Sequence, residues 1–241
     1  MQSLGIIGFG SFGQFAVKWL KPHFDISVYD VCDKEEEANE LGVRWSSFEN
    51  TCACDVVIFG VPLEFLEDVL RKSVVFLKPG SLVMDVTSVK VKPALLMAEI
   101  LPPEVDIVAT HPLFGPKSGK NGIEGLNIAI CNVRGERLRE VVDFCRDILK
   151  LTVTETTPGK HDEEAGYVMG LTHFIGQALN MLEVPECSQT TSSFEHLMQL
   201  KDLLSLDSMD LFRTIQKDNP FAEKARKEFM QKLQNLEDNM A

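Results

Sequence analysis

The stretch LGIIGFGSFGQFAVKWLK, residues 4–21, decides the reading of the chain. An apolar run ends in three glycines, Gly8, Gly10 and Gly13, spaced G-x-G-x-x-G, and the segment SFGQFAVKWLK that holds the last of them has helical character. At the end of a strand the first glycine permits a tight turn and the second lets backbone approach a pyrophosphate. The third lets helix and strand pack closely, and the helix N-terminus supplies amide donors and positive potential. The turn residues Gly8, Phe9, Gly10, Ser11, Phe12 and Gly13 are therefore candidate contacts for a dinucleotide. Asp30, closing the next apolar run ISVYD about 20 residues on, is placed to accept ribose hydroxyls and repel a 2′-phosphate. No arginine stands at that turn, so NAD is expected in preference to NADP.

Outward from this motif, short apolar runs alternate with helical segments. CDVVIFGVP (54–62), GSLVMDVTS (80–88) and VDIVAT (105–110) read as buried strands, separated by the helical LEFLEDVLRKSVVFL (63–77) and KPALLMAEIL (92–101). GLNIAIC and LTVTE add strands on either side of one more helix. Continuous apolar strands spaced by helices imply a doubly wound, mostly parallel α/β sheet, here assigned to residues 1–155. Val61 and Pro62, ending one strand, are expected to wall the adenosine side of a cofactor.

From TTPGKHDEEAG onward only helical periodicity remains, and residues 156–241 are expected to form a small all-helical domain. Its first long helix, 161–182, carries two apolar stripes, one with Ala165, Met169, Thr172 and Leu179, the other with Val168, Leu171, Ile175 and Leu182. A helix apolar on several sides is buried on several sides. So few residues hide that surface poorly alone, and a homodimer is expected.

The composition excludes several classes. With 24 basic and 36 acidic residues the formal charge is −12, which disfavours a nucleic-acid partner. No apolar stretch approaches the roughly 18 residues of a membrane span, and the glycine-broken start argues against a signal peptide. The six cysteines are scattered and the CAC pair lacks zinc-site spacing, so reduced thiols, a cytoplasmic location and no metal are expected.

Two segments bring reactive groups to strand ends, where ligands of such sheets bind. DVTSVK (85–90) carries Thr87, a candidate cofactor contact, with Ser88 and Lys90; HPLFGPKSGKNG (111–122) opens on His111. A histidine there is placed to take a proton from a substrate hydroxyl as hydride leaves the same carbon, or else it caps its strand.

HPLFGPKSGK and DVTSVK, with KHDEEAGYVMGLTHFIGQAL (160–179), resemble the prephenate and arogenate dehydrogenase family, most of all its plant arogenate members, from Gly5 to about Phe221. The resemblance implies a Rossmann-type domain followed by a helical dimerisation domain. It also implies oxidative decarboxylation of a cyclohexadienol, with His111 as proton acceptor and Ser88 contacting the same hydroxyl. Ser88 is equally compatible with a helix N-cap. His173 matches a second family histidine and is expected to line the substrate pocket, whereas His161, about 18 Å earlier along the helix, is read as structural. The substrate carboxylate requires a cation. Where bacterial members carry an arginine before an x-D-P turn, this chain has Thr214, with Arg213 one residue early. Arg213 reaches the pocket or is a solvated helix residue, and Lys117 and Lys120 are alternative cations or plain surface residues. The competing readings are a related imine or 3-hydroxyacid oxidoreductase, disfavoured by the histidines around 161–173, and a non-catalytic NAD-binding regulator.

Overall fold

The computed structural model describes residues 1–205 and 207–240. The chain divides into two compact units, residues 1–158 and 159–241.

The first unit is the expected doubly wound sheet. β1 (Ser3–Ile7), α1 (Ser11–Leu20) and β2 (Asp25–Tyr29) are followed by α2 (Glu35–Leu41), the two-residue β3 (Arg44–Trp45) and α3 (Phe48–Cys52). Next come β4 (Val56–Phe59), α4 (Leu63–Ser73), β5 (Leu82–Asp85), α5 (Val91–Ile100) and β6 (Asp106–Pro112). The unit closes with β7 (Asn127–Arg134), α6 (Leu138–Asp143), a π-helical turn at Phe144–Ile148, and β8 (Thr152–Thr156). The strand order is β3-β2-β1-β4-β5-β6-β7-β8. All neighbours run parallel except β6 and β7, whose pairing is antiparallel.

Helices cover both faces because the central strands are apolar on both. On one face Leu4, Ile6, Ile58, Leu82 and Val108 pack with Phe15 and Val17 of α1 and Val142 of α6. On the other Ile7, Val57, Phe59, Val83 and Ile107 pack with Leu66 and Leu70 of α4 and Met97 of α5. Leu63, Leu66 and Leu70, at helical spacing, give α4 its single buried stripe. Truncating a wholly buried ring such as Phe59 to alanine would cost roughly 3–5 kcal/mol.

The second unit is helical. α7 (Pro158–Ala165) runs through a π-helical turn, Gly166–Leu171, into α8 (Thr172–Met181). α9 (Ser192–Ser205), α10 (Met209–Arg213), a π-helical turn at Thr214–Asp218 and α11 (Ala222–Asp238) follow. Gly166 and Gly170 admit the start of α11: a Cβ on Gly166 would lie 3.2 Å from the Phe221 carbonyl carbon, and one on Gly170 3.2 Å from the Ala222 Cβ. The wider turn leaves carbonyls without regular helical partners. Gln216 Nε2 donates to Gly170 O at 2.6 Å, and Asn219 Nδ2 to Asp162 O at 2.8 Å. The two apolar stripes read from the sequence are incompletely covered in the single chain: Val168 is 66% and Leu182 57% exposed, and α9 buries no residue.

Candidate active site

The glycine turn shows what each glycine is for. Gly8 has φ +99°, and a Cβ there would stand 2.6 Å from Gly60 O, so the β1–α1 turn and the end of β4 touch backbone to backbone. A Cβ on Gly13 would lie 2.5 Å from Gly8 O, which keeps α1 against its own turn. Gly10 is different. It is exposed, it occupies the N-cap of α1, and a Cβ there would meet nothing within 4 Å. No side chain caps the helix and no acidic residue occupies its first turn, so its positive end faces open space. Ser11 is exposed beside it, Phe12 half-buried and Phe9 wholly buried.

Asp30 stands just past β2 and accepts the Phe9 N–H on Oδ2 at 2.7 Å and the Cys32 N–H on Oδ1 at 3.0 Å. The carboxylate is thereby aimed by the glycine turn itself. Val61 is half-buried, and Pro62 is exposed as the N-cap of α4. An uncapped helix N-terminus over open space, with a fixed carboxylate at the next strand end, fits a dinucleotide.

A second group of residues lies at the ends of β5 and β6. Thr87 donates its N–H to Asp85 Oδ2 at 3.0 Å, and its hydroxyl bonds the same oxygen, so this candidate cofactor contact is turned toward Asp85. Ser88 is half-buried, and α5 has Lys90 rather than Ser88 at its N-cap. His111 is 3% exposed and pairs with Ala129 of β7. Lys90, two residues after Ser88, is wholly buried: its Nζ lies 2.5 Å from Asp85 Oδ2 and 2.5 Å from Thr110 O. The sequence places Lys90 among the reactive groups of DVTSVK but gives no sign of this burial.

The segment from Leu113 to Leu126 folds back onto α1. Leu113 N donates to Asn127 O at 2.9 Å, and Phe114 meets Phe15 edge-on with ring centroids 6.2 Å apart. Lys117 and Lys120 are both exposed on it.

In the helical unit His173 lies on α8 with Nδ1 3.8 Å from Asp207 Oδ2. Burial lowers its pKa and the Asp207 charge opposes that. Nothing in the sequence marks Asp207, because only folding brings its short connection to α8. Arg213 is 63% exposed and pairs with Asp210 at 3.1 Å, the arrangement of a solvated helix residue. His161 is buried with Nδ1 2.7 Å from Asp162 Oδ1, as suits a structural group.

The candidates in the first unit thus share one rim of the sheet. The turn residues, Asp30, Val61 and Pro62 follow β1, β2 and β4; Thr87 and Ser88 follow β5, and His111 lies at the end of β6.

Comparison with known proteins gives the same answer over most of the chain. A family model described as prephenate dehydrogenase, nucleotide-binding domain, matches residues 16–126, and one described as TYRAAT1-like, C-terminal domain, matches 178–241. Arogenate dehydrogenase 2, chloroplastic, of Arabidopsis thaliana is 34% identical over 233 residues, covering 91% of this chain and 64% of that protein. Arogenate dehydrogenase 1, chloroplastic, of the same plant is 34% identical over 235 residues, covering 91% and 36%. The chain belongs to the prephenate/arogenate dehydrogenase family. It spans about two thirds and about one third of the lengths of these two plant relatives. A crystal structure of the Aquifex aeolicus prephenate dehydrogenase, in complex with hydroxyphenyl propionate and NAD+, superposes with TM-score 0.78 at 22% identity, covering all of this chain and 91% of that one. That likeness shows a shared fold. Among the described residues no helix is long and apolar enough to cross a membrane.

Proposed function

We propose that this protein is an NAD-dependent dehydrogenase that oxidises and decarboxylates a cyclohexadienol, arogenate or prephenate, to tyrosine or 4-hydroxyphenylpyruvate. The observation that carries the reading is the position of Ser88, just past the end of β5, and of His111, in the last residues of the neighbouring β6, on the rim that also holds the glycine turn and Asp30. NAD, when bound, accepts the hydride from the carbinol carbon. The chain's own part begins with binding: the uncapped α1 N-terminus holds the pyrophosphate and Asp30 the ribose hydroxyls. His111 takes the hydroxyl proton and Ser88 holds the same hydroxyl in line. The carboxylate at the ring's quaternary carbon leaves as CO2, its bonding pair completes the aromatic ring, and the resulting phenolate takes the proton back from His111 to give the phenol. Aromatisation drives the reaction, so the protein mainly orients the substrate and accepts one proton.

The family resemblance assigns His173 to the substrate, and of the two candidate substrates we favour arogenate. The two plant relatives named for that substrate support the same choice. Asp30, with Asp33 rather than a cation three residues on, favours NAD over NADP. The exposed Val168 and Leu182 support a homodimer, and the scattered spacing of the six cysteines supports a reducing compartment, here the cytoplasm.

Incubating the protein with NAD and either arogenate or prephenate, while following reduced-nicotinamide absorbance, tests the proposal. Turnover with arogenate exceeding that with prephenate is expected; no turnover with either overturns it.

A further inference from the structure

Ser88 and His111 both lie beyond the hydrogen-bonded ladder that joins their strands. The last paired residues of β5 and β6 are Asp85 and Ala109. Past that point His111 remains fixed to β7 through its pairing with Ala129, but no β5–β6 ladder bond sets its distance from the Ser88 turn. Contacts made by Thr110 and Lys90 cross the gap. The Thr110 hydroxyl donates to Asp85 O at 2.6 Å, and the Lys90 ammonium bridges Asp85 Oδ2 and Thr110 O at 2.5 Å each.

A buried ion pair of this kind is a poor way to gain stability. Both side chains are 0% exposed, and withdrawing two charges from water costs about what their attraction returns. The arrangement is also uneven: Asp85 Oδ2 takes the ammonium together with the Thr87 N–H and hydroxyl, while Oδ1 has no hydrogen-bond partner among the described residues. What the ammonium offers, and a hydrocarbon cannot, is several donors on one atom, reaching a carboxylate on one strand and a carbonyl on the next. The carbonyl belongs to the peptide that leads into His111, and the lysine stands two residues after Ser88.

We infer that Lys90 is a positioning residue: its ammonium ties the end of β5 to the end of β6 and thereby sets the spacing between Ser88 and His111. The kinetic part of this inference rests on the proposed function.

The decisive comparison is wild type against the double variant K90M/D85N, which removes both charges together and leaves neither buried alone, while the asparagine still accepts from Thr87. The variant is expected to fold by circular dichroism and to bind NAD as wild type does. On whichever cyclohexadienol the wild type uses, its kcat should fall about 10²-fold with KM little changed. Wild-type kcat in the folded variant overturns the inference. K90R covers a double variant that does not fold. It keeps the charge but carries its donors on a longer planar fork, and kcat about tenfold down is expected if one compact ammonium is required; wild-type kcat overturns it. A crystal structure of the folded variant reads the same point without turnover. Ser88 and His111 displaced from their wild-type separation is the expected result. Unmoved side chains overturn the inference, even if the wild type oxidises neither substrate.

Discussion

Gly119 lies against the ring of Phe15: a Cβ at position 119 would stand 2.5 Å from Phe15 Cζ. The loop after His111 is therefore seated on the helix that leads out of the glycine turn, so the proposed substrate and cofactor elements share a contact. Replacing Gly119 by alanine should lift the loop and lower kcat/KM about tenfold, since small displacements of positioning elements are costly. A second change, Phe15→Leu, should restore part of the loss by making room. Steady-state kinetics of the two single variants and the double variant checks this; additive losses would refute the coupling.

His111→Asn should lower kcat by about 10²–10⁴-fold, the usual worth of a positioned general base. NAD affinity, followed by fluorescence titration, should be unaffected. Retained turnover would remove His111 from the role of proton acceptor.

Asp30→Ala acts on two levels. It leaves the Phe9 N–H, on a wholly buried residue, without its acceptor, which costs about 1–3 kcal/mol in denaturant unfolding. It also removes the carboxylate that favours the unphosphorylated ribose, so the ratio of kcat/KM with NAD to that with NADP should fall. An unchanged ratio would show that Asp30 does not select the cofactor.

Hydrogen bonds from Ser3 hold the Asp55 carboxyl down at about 2, with Lys78 adding to the effect. The unfolded carboxyl titrates near pH 3.9, so in the interval between these values the unfolded chain binds more protons. Stability is therefore full above about pH 4 and is lost as pH falls toward about 2. Asp55 is half-exposed, and screening keeps its worth under about 1 kcal/mol. Ser3→Ala should lower stability at pH 7 by that order, with the difference vanishing at the acid end. Chemical denaturation of both proteins across this range checks the sign.

Sedimentation at micromolar concentration should show a dimer. Val168→Glu with Leu182→Glu, which charges the exposed helical stripe, should shift it to monomer. A wild-type monomer would leave those apolar residues without the proposed partner.

The sheet and its glycine turn were legible because their signals are local. Gly8, Gly10 and Gly13 encode their turn within six residues, and Asp30 closes the next strand. The antiparallel direction of β7 was not legible, because GLNIAIC has the same apolar pattern whichever way it runs. β3 is two residues long, too short for any period. The burial of Lys90 and the place of Asp207 escaped for another reason: besides Asp85, five positions away, Lys90 binds Thr110, 20 away, Asp207 meets His173, 34 away, and charge alone does not tell a buried ammonium from a solvated one. Gly166 likewise reads as a weak point in a helix, whereas it opens a wider turn where α11 approaches closely.

Because β7 runs back along β6, residues 113–126 leave and rejoin the sheet at a single margin. Insertions or deletions between those two feet would leave every strand in register, so this stretch is a cassette that can be exchanged where Gly119 keeps its seat on Phe15 and Ile123 its place in the core. A slip of one residue within β6 would instead turn His111 to the opposite side of the pleat. Recombination should therefore succeed by swapping the cassette and fail by cutting inside the strand.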